Sequence, residues 1–136
     1  MPSILNPYLS FTDNAREAIE FYRSVFGGEV QVMPFGDMAH QPSQRDLVMH
    51  AQLNAPNGFV LMASDTPPEM QRTAGNNISV SLSGDNDAEL RGYWEKLAAG
   101  GNIAYPLAKA PWGDSFGMLT DKFGIPWMVN IAGPKA

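Results

Sequence analysis

Residues 14–29, Asn14-Ala-Arg-Glu-Ala-Ile-Glu-Phe-Tyr-Arg-Ser-Val-Phe-Gly-Gly-Glu29, are faintly repeated at residues 86–102, Asn86-Asp-Ala-Glu-Leu-Arg-Gly-Tyr-Trp-Glu-Lys-Leu-Ala-Ala-Gly-Gly-Asn102. Each stretch begins with an Asn that is followed three residues later by a Glu, the pattern of a helix N-cap with a capping box. Each ends in Gly-Gly, which is typical of the left-handed residue after a helix. Apolar residues recur between these signals at helical spacing. The sequence therefore predicts two amphipathic helices in a chain built from one unit used twice.

Short strand-like stretches surround each helix, and residues 4–11 and 29–33 alternate with the period of half-buried strands. They cover residues 4–11, 29–33, 47–53 and 59–63 in the first half and residues 78–82, 103–105, 116–120 and 127–131 in the second. Pro7 argues against a regular central strand at residues 4–11. Asn57-Gly58 predicts a hairpin between the strands at residues 47–53 and 59–63. Each half is thus predicted to run strand, helix and three strands.

The spacing of the two helices sets the domain organisation. They begin at Ala15 and at about Ala88, 73 residues apart, so two copies account for nearly the whole chain. We predict one domain, residues 1–136, made of module 1 (1–65), module 2 (76–133) and a linker (66–75) that contains Pro67-Pro68. The segment of residues 34–45 is longer than most connections between strands, and it is either a lid or a disordered loop.

Composition restricts the functional classes. The chain of 136 residues is 44% hydrophobic, which suffices for a core, and it has no Cys for disulfides, thiolate nucleophiles or zinc–thiolate sites. Its net charge is −5, and its nine Lys and Arg are scattered, which argues against a nucleic-acid partner. The first residues show neither a secretory signal nor a membrane span, so we expect a cytoplasmic protein with no membrane partner.

Four motifs occur in one order: the helix of residues 14–28, Met49-His50, Leu61-Met-Ala-Ser-Asp65 and Asp121-Lys-Phe-Gly-Ile-Pro-Trp127. In that order they resemble the PhnB-like branch of the vicinal oxygen chelate superfamily, whose relatives include glyoxalase I, bleomycin-resistance proteins and extradiol dioxygenases. The similarity spans almost the entire chain. The resemblance implies an α+β fold in which two tandem βαβββ modules form a curved mixed sheet, or cup, with helices on its outer face. It also implies a homodimer.

Alternation along the strands then assigns side chains to one face of the sheet or the other. Leu5, Met49 and Ile78 are predicted to pack under the helices, as is Trp127, whereas Val48 is predicted to face the cup. The ligand-binding candidates in the cup are Asn6, Tyr8, His50, Gln52, Met62, Asn77, Ser79, Met118 and Met128. Trp112, in the turn before a cup strand, is a further candidate, and packing against the second helix is its alternative role.

Metal-dependent members of the superfamily place His, Gln or Glu ligands on the first and last strands of each module. Here Asn6 falls where the first ligand would be, and residues 4–10, 59–63, 76–82 and 125–131 contain no His, Asp or Glu. Neutral amides are poor sole ligands for Zn²⁺ or Fe²⁺. We therefore predict no family metal and no cofactor. A displaced site built from Asp37, His40, His50 and Asp65 is the alternative.

His50 is the candidate catalytic residue, because a histidine that faces the cup could donate a hydrogen bond or act as a general base near neutral pH. A purely structural role is the alternative. We predict a protein that binds a small organic molecule in the cup, with catalysis left open. The second hypothesis is a divalent-metal-dependent lyase, isomerase or dioxygenase. A third, methyl transfer to a quinone, lacks the Gly-rich strand-to-helix turn that a nucleotide-like cofactor needs.

Overall fold

The computed structural model describes residues 3–39, 41–67, 70 and 72–134. The chain divides into two compact units, Met1–Ala74 (unit 1) and Gly75–Ala136 (unit 2), and the boundary falls within the predicted linker. The elements of unit 1 are β1 (Tyr8–Phe11), α1 (Ala15–Phe26), β2 (Glu29–Pro34), β3 (Val48–Asn54) and β4 (Val60–Asp65). Those of unit 2 are β5 (Val80–Gly84), α2 (Asp87–Ala98), β6 (Asn102–Lys109), β7 (Ser115–Thr120) and β8 (Pro126–Ile131).

Each unit contains one four-stranded mixed sheet, and the two sheets have the same topology. The strand order is β1-β4-β3-β2 in unit 1 and β5-β8-β7-β6 in unit 2. The pairs β1–β4 and β5–β8 are parallel, and the remaining pairs are antiparallel. The predicted α+β class, with strand, helix and three strands in each half, is confirmed.

The register of the strands repeats as well. Tyr8 lies opposite Met62 in the parallel pair of unit 1, and Ser81 lies opposite Met128 in unit 2. In the β3–β4 hairpin Leu53 lies opposite Leu61, as Leu119 lies opposite Trp127 in the β7–β8 hairpin. Met62 and Met128 therefore occupy equivalent positions, although the two halves share few identical residues.

Each helix covers one face of its own sheet. Helix α1 packs on β2, β3 and β4 and buries Ala15, Ala18, Ile19, Tyr22, Val25 and Phe26. Helix α2 packs on β5, β7 and β8 through Leu90, Trp94 and Leu97. A Cβ at Gly117 of β7 would lie 2.7 Å from the indole of Trp94, so the absent side chain makes room for that ring. Trp127, predicted to pack under a helix, is fully buried.

The two predicted N-caps differ in outcome. In α2 the side chain of Asn86 accepts a hydrogen bond from the Glu89 N–H at 3.1 Å, as the capping pattern predicts. In α1 the Asn14 side chain makes no capping hydrogen bond. Asp65, at the end of β4, accepts the Ala15 N–H at 3.0 Å instead. A carboxylate that is remote in sequence but adjacent in the fold takes over the capping role in unit 1.

Three face assignments from the sequence are wrong. Val48, predicted to face the cup, is fully buried because β3 bulges at Met49: the β2–β3 register passes from Met33–His50 to Pro34–Val48. Leu5 and Ile78, predicted to pack under the helices, are 102% and 76% exposed. Both precede the first regular strand of their unit, which begins only at Tyr8 or Val80.

The long connection between β2 and β3 contains two short 3-10 turns, Gly36–Met38 and Pro42–Gln44. His40 lies outside the described residues. In the described part of the chain neither helix has the length and apolar character of a membrane-spanning segment.

Candidate functional site

The side of the β1–β4 sheet that α1 does not cover is the helix-free face of unit 1. Leu9, Ala51 and Ala63 point toward α1 and are buried, so the residues that alternate with them lie on the opposite side. The residues on the helix-free face are Tyr8, Ser10, Glu29, Gln31, Met33, His50, Gln52, Asn54, Val60, Met62 and Ser64. Four of the predicted ligand-binding residues, Tyr8, His50, Gln52 and Met62, are brought together here.

Tyr8 and His50 form the central polar contact of this face. The Tyr8 hydroxyl lies 3.2 Å from His50 Nδ1, and the two ring centroids are 5.7 Å apart. Because β4 separates β1 from β3, the Tyr8 side chain must cross β4 to reach His50. Either the Tyr8 O–H donates to Nδ1 or the Nδ1–H donates to the Tyr8 oxygen, according to the imidazole tautomer.

Gln52 and Met62 lie beside this pair. Met62 is opposite Tyr8 on one side and opposite Gln52 on the other, and both Gln52 and Met62 are half-buried. The Gln52 amide donates to Asn54 Oδ1 at 3.0 Å. Asn6 is half-buried just before β1, where its side-chain amide donates to the Pro7 carbonyl at 3.3 Å. The face thus combines an aromatic–imidazole pair, amides and a thioether.

The helix-free face of unit 2 is defined in the same way, as the side of β5–β8 that α2 does not cover. Met118 and Met128 lie opposite each other on it, flanked by Ser81 and Tyr105. Asn77 and Ser79 precede β5, and Asn77 is exposed whereas Ser79 is half-buried.

Trp112 lies in the connection between β6 and β7. It is 62% exposed, and its ring packs edge-on against Phe116 with the centroids 5.8 Å apart. Phe116 lies opposite Asn130 and belongs to the helix-free face of unit 2. Trp112 therefore adds an aromatic ring to that face, beside Phe116 and Tyr105.

The residues present do not fit the divalent metal site of the superfamily. The helix-free faces of β1, β4, β5 and β8 carry only neutral side chains: Tyr8, Ser10, Val60, Met62, Ser64, Ser81, Ser83, Pro126, Met128 and Asn130. Within the described residues, no three His, Asp or Glu side chains lie close enough together to hold an ion. Zn²⁺ and Fe²⁺ require imidazole, thiolate or carboxylate ligands, which these faces do not supply.

The described members of the displaced set, Asp37, His50 and Asp65, are not brought together either. Asp65 is buried on the helix side of β4, where its two oxygens accept the Ala15 and Val48 N–H groups at 3.0 and 2.8 Å. His50 lies on the opposite face. Asp37 is exposed and pairs with Arg45 at 2.7 Å. Asp65 is therefore a structural residue that holds the starts of α1 and β3 together.

The sequence did not point to a cavity of about 430 Å³ in unit 2. It is lined by Asp87, Lys109, Gly113, Ser115, Ile131, Ala132, Gly133 and Pro134. Asp114 braces its wall by accepting the Asn130 amide at 3.0 Å and the Gly133 N–H at 2.9 Å. Gly113 and Gly133 are the trace of this cavity in the sequence. The two glycines meet at its wall, where a Cβ at Gly133 would lie 2.0 Å from the Gly113 carbonyl oxygen.

A family model described as 3-demethylubiquinone-9 3-methyltransferase matches residues 3–130. The chain belongs to this family. The crystal structure of protein PA1353 from Pseudomonas aeruginosa is 40% identical, with a TM-score of 0.85 over 96% of this chain and 98% of that one. A PhnB protein from Bacillus cereus, described as a putative 3-demethylubiquinone-9 3-methyltransferase, is 26% identical with a TM-score of 0.77 over 96% of this chain and 100% of that one.

The predicted fold is confirmed by a more distant likeness. A glyoxylase/bleomycin resistance protein/dioxygenase domain from Frankia sp. EAN1pec is 16% identical, with a TM-score of 0.67 over 97% of this chain and 98% of that one. The chain thus belongs to the 3-demethylubiquinone-9 3-methyltransferase family, is similar to a PhnB protein, and has the fold of a glyoxylase/bleomycin resistance protein/dioxygenase domain.

Proposed function

We propose that this PhnB-like protein binds a small organic molecule on the helix-free face of unit 1, without a divalent metal ion. The hydrogen-bonded Tyr8–His50 pair carries the proposal. Tyr8 is 49% exposed and His50 is half-buried, so both polar groups remain accessible to a ligand. The internal hydrogen bond restricts the rotation of both side chains and so lowers their entropy in the free protein. A ligand that contacts both rings would add favourable interactions without ordering them further.

The chemistry of the surrounding side chains indicates the kind of ligand. In either tautomer the Tyr8–His50 pair keeps one donor and one acceptor for a partner, because only one proton is used in the internal bond. Met62 lies between Tyr8 and Gln52 across the sheet and offers a polarizable apolar surface that adapts to irregular shapes. A ligand with a polar group at one end and an apolar body fits this arrangement best. Met118, Met128, Trp112 and Phe116 give the helix-free face of unit 2 a related apolar and aromatic character.

Methyl transfer, which the family description names, is not the function that we propose. Residues 12–14 and 85–86, which lead into α1 and α2, are Thr-Asp-Asn and Asp-Asn. The first stretch contains no Gly and the second follows a single one, Gly84, so neither is the Gly-rich turn of a nucleotide site. Each also places an acidic side chain where the phosphate or carboxylate of a nucleotide-like methyl donor would meet a helix N-terminus. Each sheet also has a single parallel pair, unlike the open parallel sheets that hold such cofactors.

Thermal unfolding in the presence of a metabolite library tests the binding proposal. A ligand present at about 100 times its dissociation constant stabilises the folded state by about 2.7 kcal/mol, which is readily measured. We expect stabilisation of the wild type to be lost in His50→Ala and retained in His40→Ala, the matched change at the other histidine. Equal stabilisation of both variants would place the ligand elsewhere.

The metal-dependent alternative is tested by calorimetric titration with Zn²⁺, Mn²⁺ and Fe²⁺. We expect no stoichiometric tight binding, because the first and last strands of each unit present neutral side chains on their helix-free faces. Stoichiometric binding that a chelator reverses, together with a chelator-sensitive activity, would replace our proposal with a lyase, isomerase or dioxygenase.

A further inference from the structure

Two thioethers flank His50 on the helix-free face of unit 1. Met33 of β2 lies opposite His50, and Met62 of β4 lies opposite Gln52, the next residue of β3 on that face. Side chains opposite each other in antiparallel strands have Cβ atoms about 5 Å apart, and diagonal neighbours are about 7 Å apart. A methionine side chain is long and flexible enough to bring its sulfur toward the imidazole from either side.

These side chains are accessible. Met33 is 55% exposed, and His50 and Met62 are half-buried. None of the three belongs to the buried core beneath α1, because Ala51 and Ala63 occupy the helix side between them. The three groups can therefore move toward a common partner without disrupting the packing of the helix on the sheet.

Tyr8 favours one orientation of the imidazole. When Nδ1 carries the proton and donates to the Tyr8 oxygen at 3.2 Å, the lone pair of Nε2 is left for another partner. Histidines that bind metals commonly use one ring nitrogen as the ligand while the other donates a hydrogen bond that holds the ring in place. Tyr8 is thus in the position of a residue that orients a ligating His50.

We propose that Met33, His50 and Met62 bind one soft monovalent metal ion, Cu(I) or its analogue Ag(I), through two thioether sulfurs and one imidazole nitrogen. Thioether and imidazole ligands suit Cu(I), whereas Mg²⁺, Ca²⁺ and Mn²⁺ require oxygen ligands. This site uses different ligands from the His, Gln and Glu set of the metal-dependent members. It does not depend on the proposed organic ligand, with which it shares His50 and Met62.

The composition of the chain makes this site testable with little interference. Thiolates are the strongest soft-metal ligands in most proteins, and this chain has no Cys. Binding of Ag(I), which is stable in air, therefore reports on methionine and histidine alone. The methyl groups of the eight Met residues provide one NMR signal for each candidate sulfur.

The experiment is a titration of the full chain with silver nitrate in chloride-free buffer, followed by calorimetry and by methionine methyl NMR. We expect one ion to bind and the Met33 and Met62 methyl signals to shift first. Tyr8→Phe should weaken binding about tenfold, as loss of an orienting partner does. Met33→Leu, Met62→Leu and His50→Ala should weaken it more, with circular dichroism spectra like that of the wild type.

Met38→Leu and His40→Ala are the controls. Met38 is 69% exposed in the connection between β2 and β3, so its sulfur is at least as accessible as that of Met33. We expect both controls to bind Ag(I) with wild-type affinity. Uniform shifts of all exposed methionines, an equal loss in Met38→Leu, or unchanged affinity in His50→Ala would each overturn the proposal.

Discussion

At the scale of the residue, Asp65 shows how one carboxylate links three elements. It ends β4, is 4% exposed, and accepts the Ala15 and Val48 N–H groups at the starts of α1 and β3. We expect Asp65→Ala to lower the free energy of unfolding by about 2–4 kcal/mol, because it removes a helix cap and leaves two buried donors without an acceptor. Urea denaturation monitored by circular dichroism measures this loss.

Asp65→Asn and Asp13→Ala are the matched variants for that measurement. The asparagine retains one acceptor oxygen and should cost less than the alanine. Asp13 is exposed next to the same helix end, and its removal should leave stability unchanged within error. If Asp65→Ala were no more destabilising than Asp13→Ala, the two N–H groups would have to find other acceptors.

At the scale of the element, the second glycine of each Gly-Gly pair explains why helix and strand join so closely. A Cβ at Gly28 would lie 2.1 Å from the Asn54 carbonyl oxygen, and one at Gly101 would lie 2.4 Å from that of Thr120. Each glycine therefore lets the chain that leaves a helix pass against the end of the third strand of its unit. The same contact recurs in both units, as a duplicated fold requires.

We expect Gly28→Ala and Gly101→Ala each to lower the free energy of unfolding by about 1–3 kcal/mol, the usual cost of forcing atoms into packed space. Gly28→Ala should cost more, because Gly28 also has a φ of +100°. A Cβ at Gly92 of α2 would meet no atom of the described residues within 4 Å, so Gly92→Ala should instead stabilise by about 0.5–1 kcal/mol. Chemical denaturation of the three variants distinguishes these outcomes, and destabilisation by Gly92→Ala would contradict the argument.

Most elements could be predicted because their signals are local. The helical spacing of apolar residues, the Gly-Gly helix ends and the Asn-Gly turn can each be recognised within a short stretch of sequence. The structure has both helices and the β3–β4 hairpin where these signals predict them. The bulge at Met49 and the Asp65 cap depend on strands that are distant in sequence, so the pattern of residues 47–53 did not reveal that Val48 is buried. The Tyr8–His50 contact likewise requires the strand order β1-β4-β3, which no local pattern encodes.

At the scale of the whole molecule, the exposed apolar residues bear on assembly. Leu5 and Ile78 precede the first strands of the two units and are 102% and 76% exposed. Burial of these two side chains against a partner would remove apolar surface from water, which favours association. The resemblance to the superfamily implies a homodimer, and we expect light scattering after gel filtration to give twice the chain mass of 14.8 kDa.

Leu5→Glu combined with Ile78→Glu should shift the protein toward the mass of a single chain, because a buried unpaired charge opposes association. Met38→Glu, at another exposed apolar residue, serves as the control and should leave the mass unchanged. A wild-type mass of one chain at micromolar concentration would contradict the expectation.

The indole rings are distributed unequally between the two units. Trp94, Trp112 and Trp127 are the three tryptophans of the chain, and all belong to unit 2. Trp127 is buried and donates its Nε1–H to Asp121 at 2.9 Å, so its emission depends on an intact β7–β8 hairpin. Intrinsic fluorescence excited at the tryptophan band therefore follows the second half of the polypeptide alone, while far-ultraviolet dichroism follows both halves. The native protein thus carries its own spectroscopic label for asking whether the duplicated halves melt cooperatively or in sequence.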